Sequence, residues 1–560
     1  MNVDHARLDQ LRAGQGDIAN HVIDEFVAGR LSRRDFLRRG SVVGISIPVL
    51  GAIVSACGSS KSSSKGKSPS GAAGATIKAG IVTPTGSINP VTVADQGGLD
   101  MLGQTGEYLA LSTQTGLQPV LAESWTANSA GDVWTFKIRQ GVKFSNGHPL
   151  TADDVVYTYK LQTNPKGKAS ALSAFGGVLT PSGVKKVDAS TVAFHLEAPN
   201  GNFPYLTSSD NYNMIIMPNG YDPAKWEKSF VGTGPFVLDK YTAKVGASFK
   251  RNPNYWGTPA KPAATQFTFY ATEQPGVLAL TSGSIDVIGQ FTVANSPQLL
   301  SSSYNVIKIK SSAHRELSMR NDKPPFTDAR VRQAIALSLD RPAIVQALFK
   351  GFADLGNDSP FAPVFQSTNT SIAQRAKDIA KAKSLLAAAG HPNGFSATLT
   401  GEVFQEIPQY AQIVQQMTKA IGVHLSLNIE AQPKYYGNFL FGTSDWLDAT
   451  VSLVDYGNRS VPNVFLTAPL QTINSKAGTG AWNAAHFSNA HYDRLSKQYI
   501  ATSDLHTQRS IAGQIETLLL NETPVIYAYF YNYLSASAKT VSGVLPTAVG
   551  HLFLYNATKM

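Results

Sequence analysis

Polar and apolar positions alternate from residue 133. Trp134, Phe136 and Ile138 fall on one side of the chain, and Thr135, Lys137 and Arg139 on the other. A period of two predicts a strand with one buried face. Gln140-Gly141 and Ser145-Asn146-Gly147 supply turns after it. The segment TADDVVYTYKL then puts Asp154 three residues after Thr151, the spacing of a capping box, so a helix begins there. Farther along the period lengthens. Val331, Ala334, Ile335 and Leu339 mark the apolar face of one helix. Asp340 caps a second, with Pro342 in its first turn and Gly351 at its end. Ile379, Ala382, Leu385, Leu386 and Ala389 line a third, closed by Gly390. A fourth ends near Gly422 and leads into a strand whose Val423, Leu425, Leu427 and Ile429 alternate with polar residues. Helices and strands in alternation predict α/β organisation.

The head of the chain has a different pattern. Arg33-Arg34 and Arg38-Arg39 precede an uncharged run of sixteen residues, Ser41 to Ala56, broken by Pro48. That is short of the ~20 apolar residues a bilayer span needs, and its flanks are those of an export signal. Cys57 follows, the single cysteine among 560 residues, and then the Gly/Ser/Lys tether GSSKSSSKGKSPSGAAGA. A lone cysteine forms no internal disulfide and no multi-cysteine metal site. Val54-Ser55-Ala56-Cys57 resembles the bacterial lipobox, and Ser32 to Leu37, with Arg33 and Arg34, resembles the twin-arginine export motif. The resemblance implies that residues 1–56 are removed and that Cys57 carries lipid. A diacylglyceryl group supplies the more than one acyl chain that stable anchoring requires.

Removal of the head leaves 504 residues, more than the ~250–300 one core serves, so at least two lobes are expected. The 43% hydrophobic content suits a globular protein. The net charge is +10, of which the head, with seven basic and six acidic residues, holds +1. Charged residues are only 15% of the chain and form no dense basic run beyond the head, which argues against a nucleic-acid partner. Lys61, Lys65 and Lys67 in the tether suit an anionic lipid surface.

Candidate chemistry is sparse. Asp153 and Asp154 could serve acid/base work or a metal, but helix capping and dipole compensation account for them. No nucleophile elbow, zinc-protease helix or phosphate loop occurs. His486, His491 and Asp493 lack a good ligand spacing, and a loop leading into a helix explains them. Distant residues could still form a Ser/His/Asp triad, so a secreted hydrolase stays as a remote alternative.

The stretch LAESWTANSAGDVWTFKIRQGVKFSNGHPLTADDVV, Leu121 to Val156, resembles family 5 of the extracellular solute-binding proteins, the oligopeptide- and dipeptide-binding components of ABC importers. GTGPF (Gly232 to Phe236), FKRNPNYWG (Phe249 to Gly257), LTSGSIDV (Leu280 to Val287) and NDKPPFTDARVRQAIALSLDR (Asn321 to Arg341) follow in the family's order. The resemblance implies a two-lobed periplasmic-binding-protein-like fold of the large class (type II), with an extra subdomain in lobe one. Signal and tether would be 1–56 and 57–75. Lobe I would be 76–316 and 527–560, with the subdomain at about 109–216, and lobe II 317–526. The lobes would be linked near His314 to Asn321 and Thr523 to Phe530. Gly232, Gly234, Arg251, Trp256, Trp125 and Trp134 would be scaffold.

The resemblance also implies the site. Peptide-binding members pair a lobe II aspartate in an Asp-Tyr stretch with the ligand's α-ammonium, and Asp455 of SLVDYGNRSVPNVFL falls there. A turn residue before Tyr456-Gly457 is the structural alternative. Two departures, Ser452 where the family has Trp and Gly457 to Val461 before Pro462, imply a differently lined pocket. Ser87 and Asn89, in the first loop after the first strand, and Tyr108, Tyr436, Trp446, Trp482, Tyr527 and Tyr529 are further ligand candidates, with core packing as their alternative. The expected protein is a monomeric, non-enzymatic receptor without cofactor or bound metal. It would be exported and lipid-anchored at the outer face of the cell membrane or in the periplasm. It would deliver a short peptide to permease subunits, or else an oligosaccharide, a nickel chelate or another small solute.

Overall fold

The computed structural model describes helix Asp17–Val27, Phe36, and residues 74–475 and 479–560. Arg33, Arg34 and Cys57, with the apolar run and most of the tether, lie outside the described residues. The chain divides into two compact units, residues 1–70 and 71–560. In the first, the Phe26 ring stacks on Phe36 at 4.3 Å. Among the described residues no helix is long and apolar enough to cross a membrane.

The second unit begins with β1 (Thr76–Val82) and a helix, Gln96–Thr105. A hairpin follows, β2 (Ala110–Thr113) and β3 (Gly116–Pro119). Next come β4 (Ala122–Ala127), β5 (Val133–Ile138), β6 (Val184–Asp188) and β7 (Thr191–His195), a separate antiparallel sheet in the order β4-β5-β7-β6. Trp134, Phe136 and Ile138 of β5 are buried, as their alternation requires. The chain returns through β8 (Phe236–Thr242), β9 (Gly246–Arg251), β10 (Ala264–Tyr270), β11 (Val287–Phe291) and β12 (Tyr304–Ile309). It then enters a second large sheet of β13 (His314–Met319), β14 (Ala353–Leu355), β15 (Phe395–Glu402), β16 (Val423–Glu430), β17 (Val451–Tyr456) and β18 (Val525–Tyr531). β19 (Tyr533–Ala538) comes back to the first.

The sheet orders are β12-β19-β11-β1-β10-β9-β8 and β14-β18-β13-β17-β15-β16. Both mix parallel and antiparallel pairs: β1 runs parallel to β10 and β11, and β15 parallel to β16 and β17. One apolar core joins the first sheet to the subdomain around Phe136, Phe194 and Trp226. The second sheet has a core on each face, one around Leu399 and Leu453, the other around Val454 and Tyr527. This is the mixed α/β, two-lobed architecture. The two links between the large sheets run at residues 310–313 and at Asn532, so the boundaries expected at 316/317 and 526/527 fall inside β13 and β18.

Local chemistry follows the sequence closely at the subdomain helix Ala152–Gln162. The Thr151 N–H and hydroxyl both donate to Asp154 Oδ2, at 2.7 and 2.9 Å, and Asn219 N–H donates to Asp154 Oδ1 at 2.8 Å. Asp154 thus caps the helix and ties it to a distant loop. Asp153 forms a half-exposed pair with Lys186. Asp154→Ala is expected to cost about 1–2 kcal/mol in urea unfolding, from lost cap and tertiary bonds. Asp153→Ala should stay within about 0.5 kcal/mol, as surface pairs do. Equal effects would refute this division.

The family-like motifs have structural work. A Cβ on Gly232 would lie 2.0 Å from the Thr105 carbonyl oxygen, and one on Gly234 2.6 Å from the Thr105 carbonyl carbon, so only glycine lets these backbones approach. Arg251 donates to Lys261 O at 2.8 Å. Trp256 Nε1 and the Tyr255 hydroxyl each donate to the Glu107 carboxylate at 2.8 Å. Burial outweighs these two bonds and pushes the Glu107 carboxyl up to about 7.

Candidate functional site

Strands β15, β16 and β17 run parallel, so their carboxyl ends and following loops collect at one end of the second sheet. Such ends are where α/β sheets receive ligands. The loop after β17, Asn458 to Pro462, forms one wall of a cavity of about 290 Å³. The β2–β3 hairpin, Tyr205 and Asp210 of the first lobe line it as well, together with Gln366 and Gln508 of the second. The volume is at the low end of the ~300–1,000 Å³ of small-molecule sites.

The lobes touch around this cavity. Asn202 Nδ2 donates to Asn463 Oδ1 at 2.8 Å and Gln508 Nε2 to Asn202 Oδ1 at 3.1 Å. Gln366 Nε2 donates to Thr115 O at 2.5 Å, and Gly201 N–H to Ile500 O at 2.8 Å. A Cβ on Gly201 would sit 1.9 Å from Thr502 O, so this contact requires glycine. The bonds are short-ranged, polar and few, which suits surfaces that meet and part. The link at 310–313 is fastened to the cavity wall: Ser312 N–H donates to Asn458 Oδ1 at 3.0 Å and its hydroxyl to Arg459 O at 2.6 Å.

Three charged side chains line the cavity. Lys310 is paired with Asp354 at 3.5 Å. Arg459 is exposed, and its Nη1 donates to Asn458 O at 2.9 Å. Asp210 has a buried Oδ2 without a hydrogen bond, and no Lys, Arg or His among the described residues pairs with it. Burial pushes its carboxyl up, against the smaller opposite pull of the Ser112 and Ser460 side chains.

Beside the cavity lies a second charged group. Antiparallel pairing sets Arg315 of β13 directly opposite Asp455 of β17, so their side chains share a face. The Arg315 guanidinium is fully buried and pairs with Asp455 Oδ1 and, at 2.9 Å, with Glu406 Oε1. Its Nη2 donates to Gln405 Oε1 at 2.9 Å and Glu406 Oε2 at 3.2 Å. The Tyr531 ring lies 4.5 Å from the guanidinium carbon. Burial acts to lower the guanidinium's pKa, but the field of Glu406, with smaller pulls from Tyr531 and then Asp455, raises it well above its ordinary value. Burial also pushes Glu402 up, and Asp455 adds to that.

Of the expected site residues, this network brings together Asp455, Tyr436 and Tyr529. Asp455 N–H donates to the Tyr436 hydroxyl at 3.1 Å, and the Tyr529 hydroxyl donates to Glu406 at 3.0 Å. The Asp455 side chain keeps 23% exposure. Ser452 is buried in β17, opposite Ser318. Tyr456 stacks on His314 and approaches the half-buried Trp482 at 6.0 Å, while the buried Tyr527 donates to Glu316 at 2.6 Å. Trp446 is buried against Tyr436 and Phe439. Ser87 is exposed, and Asn89 Oδ1 accepts from Val91 N–H at 2.9 Å, a local turn. Tyr108 is core, its hydroxyl bonded to Tyr212 O and His551 Nε2. None of these lines the 290 Å³ cavity.

Sequence reasoning missed Asp210, Arg459 and Arg315. Asp210 lies in an irregular loop without a motif, and Arg459, although inside the stretch SLVDYGNRSVPNVFL, is given no role there. Arg315 sits in HRELSM, a stretch with three ionisable residues that the structure buries at every position, so its charges require internal partners.

Residues 116–460 match the family model of the bacterial extracellular solute-binding proteins, family 5 Middle. The dipeptide-binding protein DppE of Bacillus subtilis is 28% identical over 475 residues, 79% of this chain and 84% of that protein. Heme-binding protein A of Haemophilus influenzae is 26% identical over 478 residues, again 79% and 84%. The solved structure of HbpA2 from Haemophilus parasuis superposes with a TM-score of 0.76 at 23% identity, covering 87% of this chain and all of that one, a likeness of fold.

Proposed function

Because the chain belongs to family 5 of the bacterial extracellular solute-binding proteins, we propose that it captures a short peptide between its lobes and delivers it to the permease of an ABC importer. The carrying observation is the cavity of about 290 Å³ whose walls come from both lobes and whose rim is held by their direct hydrogen bonds. A guest in that cavity touches both halves, so it binds the closed form more tightly and shifts the population toward it. No covalent chemistry is required. The peptide cargo is supported by what the B. subtilis relative is named for. Export through Arg33-Arg34 and tethering through a lipidated Cys57 belong to the same reading and would hold the receptor outside the cytoplasm beside its permease.

Native mass spectrometry of protein taken from its own host should reveal a retained small solute. After that solute is stripped, adding it or a di- and tripeptide library should reduce the radius of gyration in small-angle scattering. A library that leaves both the mass and the scattering curve unchanged removes the peptide cargo. For the anchor, intact-mass analysis should find the mature chain starting at Cys57 with added lipid, and Cys57→Ser should release the protein from membranes.

A further inference from the structure

We propose that Asn532 is a hinge residue that holds the empty receptor open, its side-chain amide finding hydrogen-bond partners only when the lobes part. The proposal rests on the solute-receptor reading above and deepens it, by naming what opposes closure while no guest is present.

The two links between the large sheets lie side by side. The first, residues 310–313, is fastened to the second lobe along its length. Lys310 pairs with Asp354 of β14, the Ser311 hydroxyl donates to Tyr531 O, Ser312 is bonded to Asn458 and Arg459, and Ala313 O accepts from Tyr531 N–H at 2.9 Å. The second link, Asn532, donates its N–H to Phe352 O of the second lobe at 3.3 Å. The next residues outward, Ile309 and Tyr533, pair with each other in the first sheet. Both links are thus held by the second lobe, which puts the pivot between the lobes at 309–310 and 532–533.

Asn532 sits at that pivot with 7% exposure, and neither its Oδ1 nor its Nδ2 has a partner. No other buried Asn or Gln among the described residues lacks a bond at both amide atoms. An unbonded buried amide is costly, and water removes that cost once it reaches the group. The rim of the cleft pulls the other way. The Asn202–Asn463, Gln508–Asn202 and Gln366–Thr115 bonds need no guest, so they favour closure of an empty cleft. A receptor shut while empty admits nothing. The unbonded amide at the pivot offsets the rim bonds and leaves closure to the guest's own contacts.

The test compares the stripped full-length native protein with Asn532→Leu and Asn532→Asp. Leucine keeps the volume and removes the amide, whereas aspartate adds charge at the same buried position. Small-angle scattering of the empty proteins should give Asn532→Leu a smaller radius of gyration than native, with no fall in melting temperature. The probe for binding is the di- or tripeptide that native mass spectrometry finds held most tightly by the native protein. Calorimetry should show Asn532→Leu binding it about 10-fold more tightly and Asn532→Asp about 10-fold or more weakly. If Asn532→Leu changes neither radius nor affinity, water already satisfies the amide with the lobes in contact, and the proposal is overturned. If both substitutions weaken binding alike, Asn532 only packs the hinge, and the proposal is equally overturned. If the native protein holds no peptide, the cargo reading falls, while the radius of empty Asn532→Leu still decides the hinge.

Discussion

Arg315→Met is expected to destabilise the protein by about 3–5 kcal/mol near neutral pH, the usual cost of removing one partner from a buried ionic group. The guanidinium is fully buried between Glu406 and Asp455, with the Tyr531 ring against it. Methionine replaces its volume but none of its charge, leaving two carboxylates facing one another in a water-poor site. Their pKa values must then rise, since like charges and burial both favour the protonated forms. Carboxyls whose folded pKa lies above the unfolded value lose stability as pH rises, so the deficit should be largest above neutrality and shrink toward pH 4. Urea denaturation at several pH values reads this. Adding Glu406→Gln and Asp455→Asn to Arg315→Met should recover most of the loss, because the repulsion is removed with the charges. A deficit independent of pH would show that packing against Tyr531, and not charge, is what Arg315 supplies.

The same network shows which parts of the site are legible in a sequence. The alternation at Trp134, Phe136 and Ile138 and the Thr151–Asp154 box are set by residues a few positions apart, and each appears where local chemistry puts it. The helix ahead of β16 likewise stops at Gly422, which takes φ 79° as a left-handed end requires. What faces Asp455 is fixed by the pairing of β13 with β17, 140 residues apart. No spacing rule carries that distance. Asp210 and Arg459 are harder still. Each reads in sequence as a solvated loop charge, and only tertiary placement brings both to the lining of one cavity. The scaffold is therefore readable from periodicity and close-approach glycines, whereas the polar lining is decided by which loops the two sheets bring together.

Glu516→Gln should stabilise the protein, by on the order of 3 kcal/mol at pH 7. Glu516 lies on helix Leu505–Glu522 and is only 4% exposed, with Oε2 unbonded. A Cβ on Gly513, one turn earlier, would come within 2.3 Å of the Asn369 side chain, so the helix and the Asn369 segment are pressed together over this carboxyl. Burial raises it from the ordinary 4.5 to about 8, the Asn369 backbone bond pulling back only in part. The folded protein thus holds a proton that the unfolded chain releases above pH 4.5. Stability is lost as pH climbs from about 4.5 to about 8 and is flat above. Between 4.5 and 7 this is ~2.5 pH units at ~1.36 kcal/mol each. Glutamine copies the shape and donor of the protonated acid but has no proton to lose. Native and variant should therefore melt alike near pH 4.5 and diverge steadily toward pH 8. Parallel curves at all pH values would mean that water reaches the carboxylate in the folded state, and that the Asn369 segment does not seal the helix.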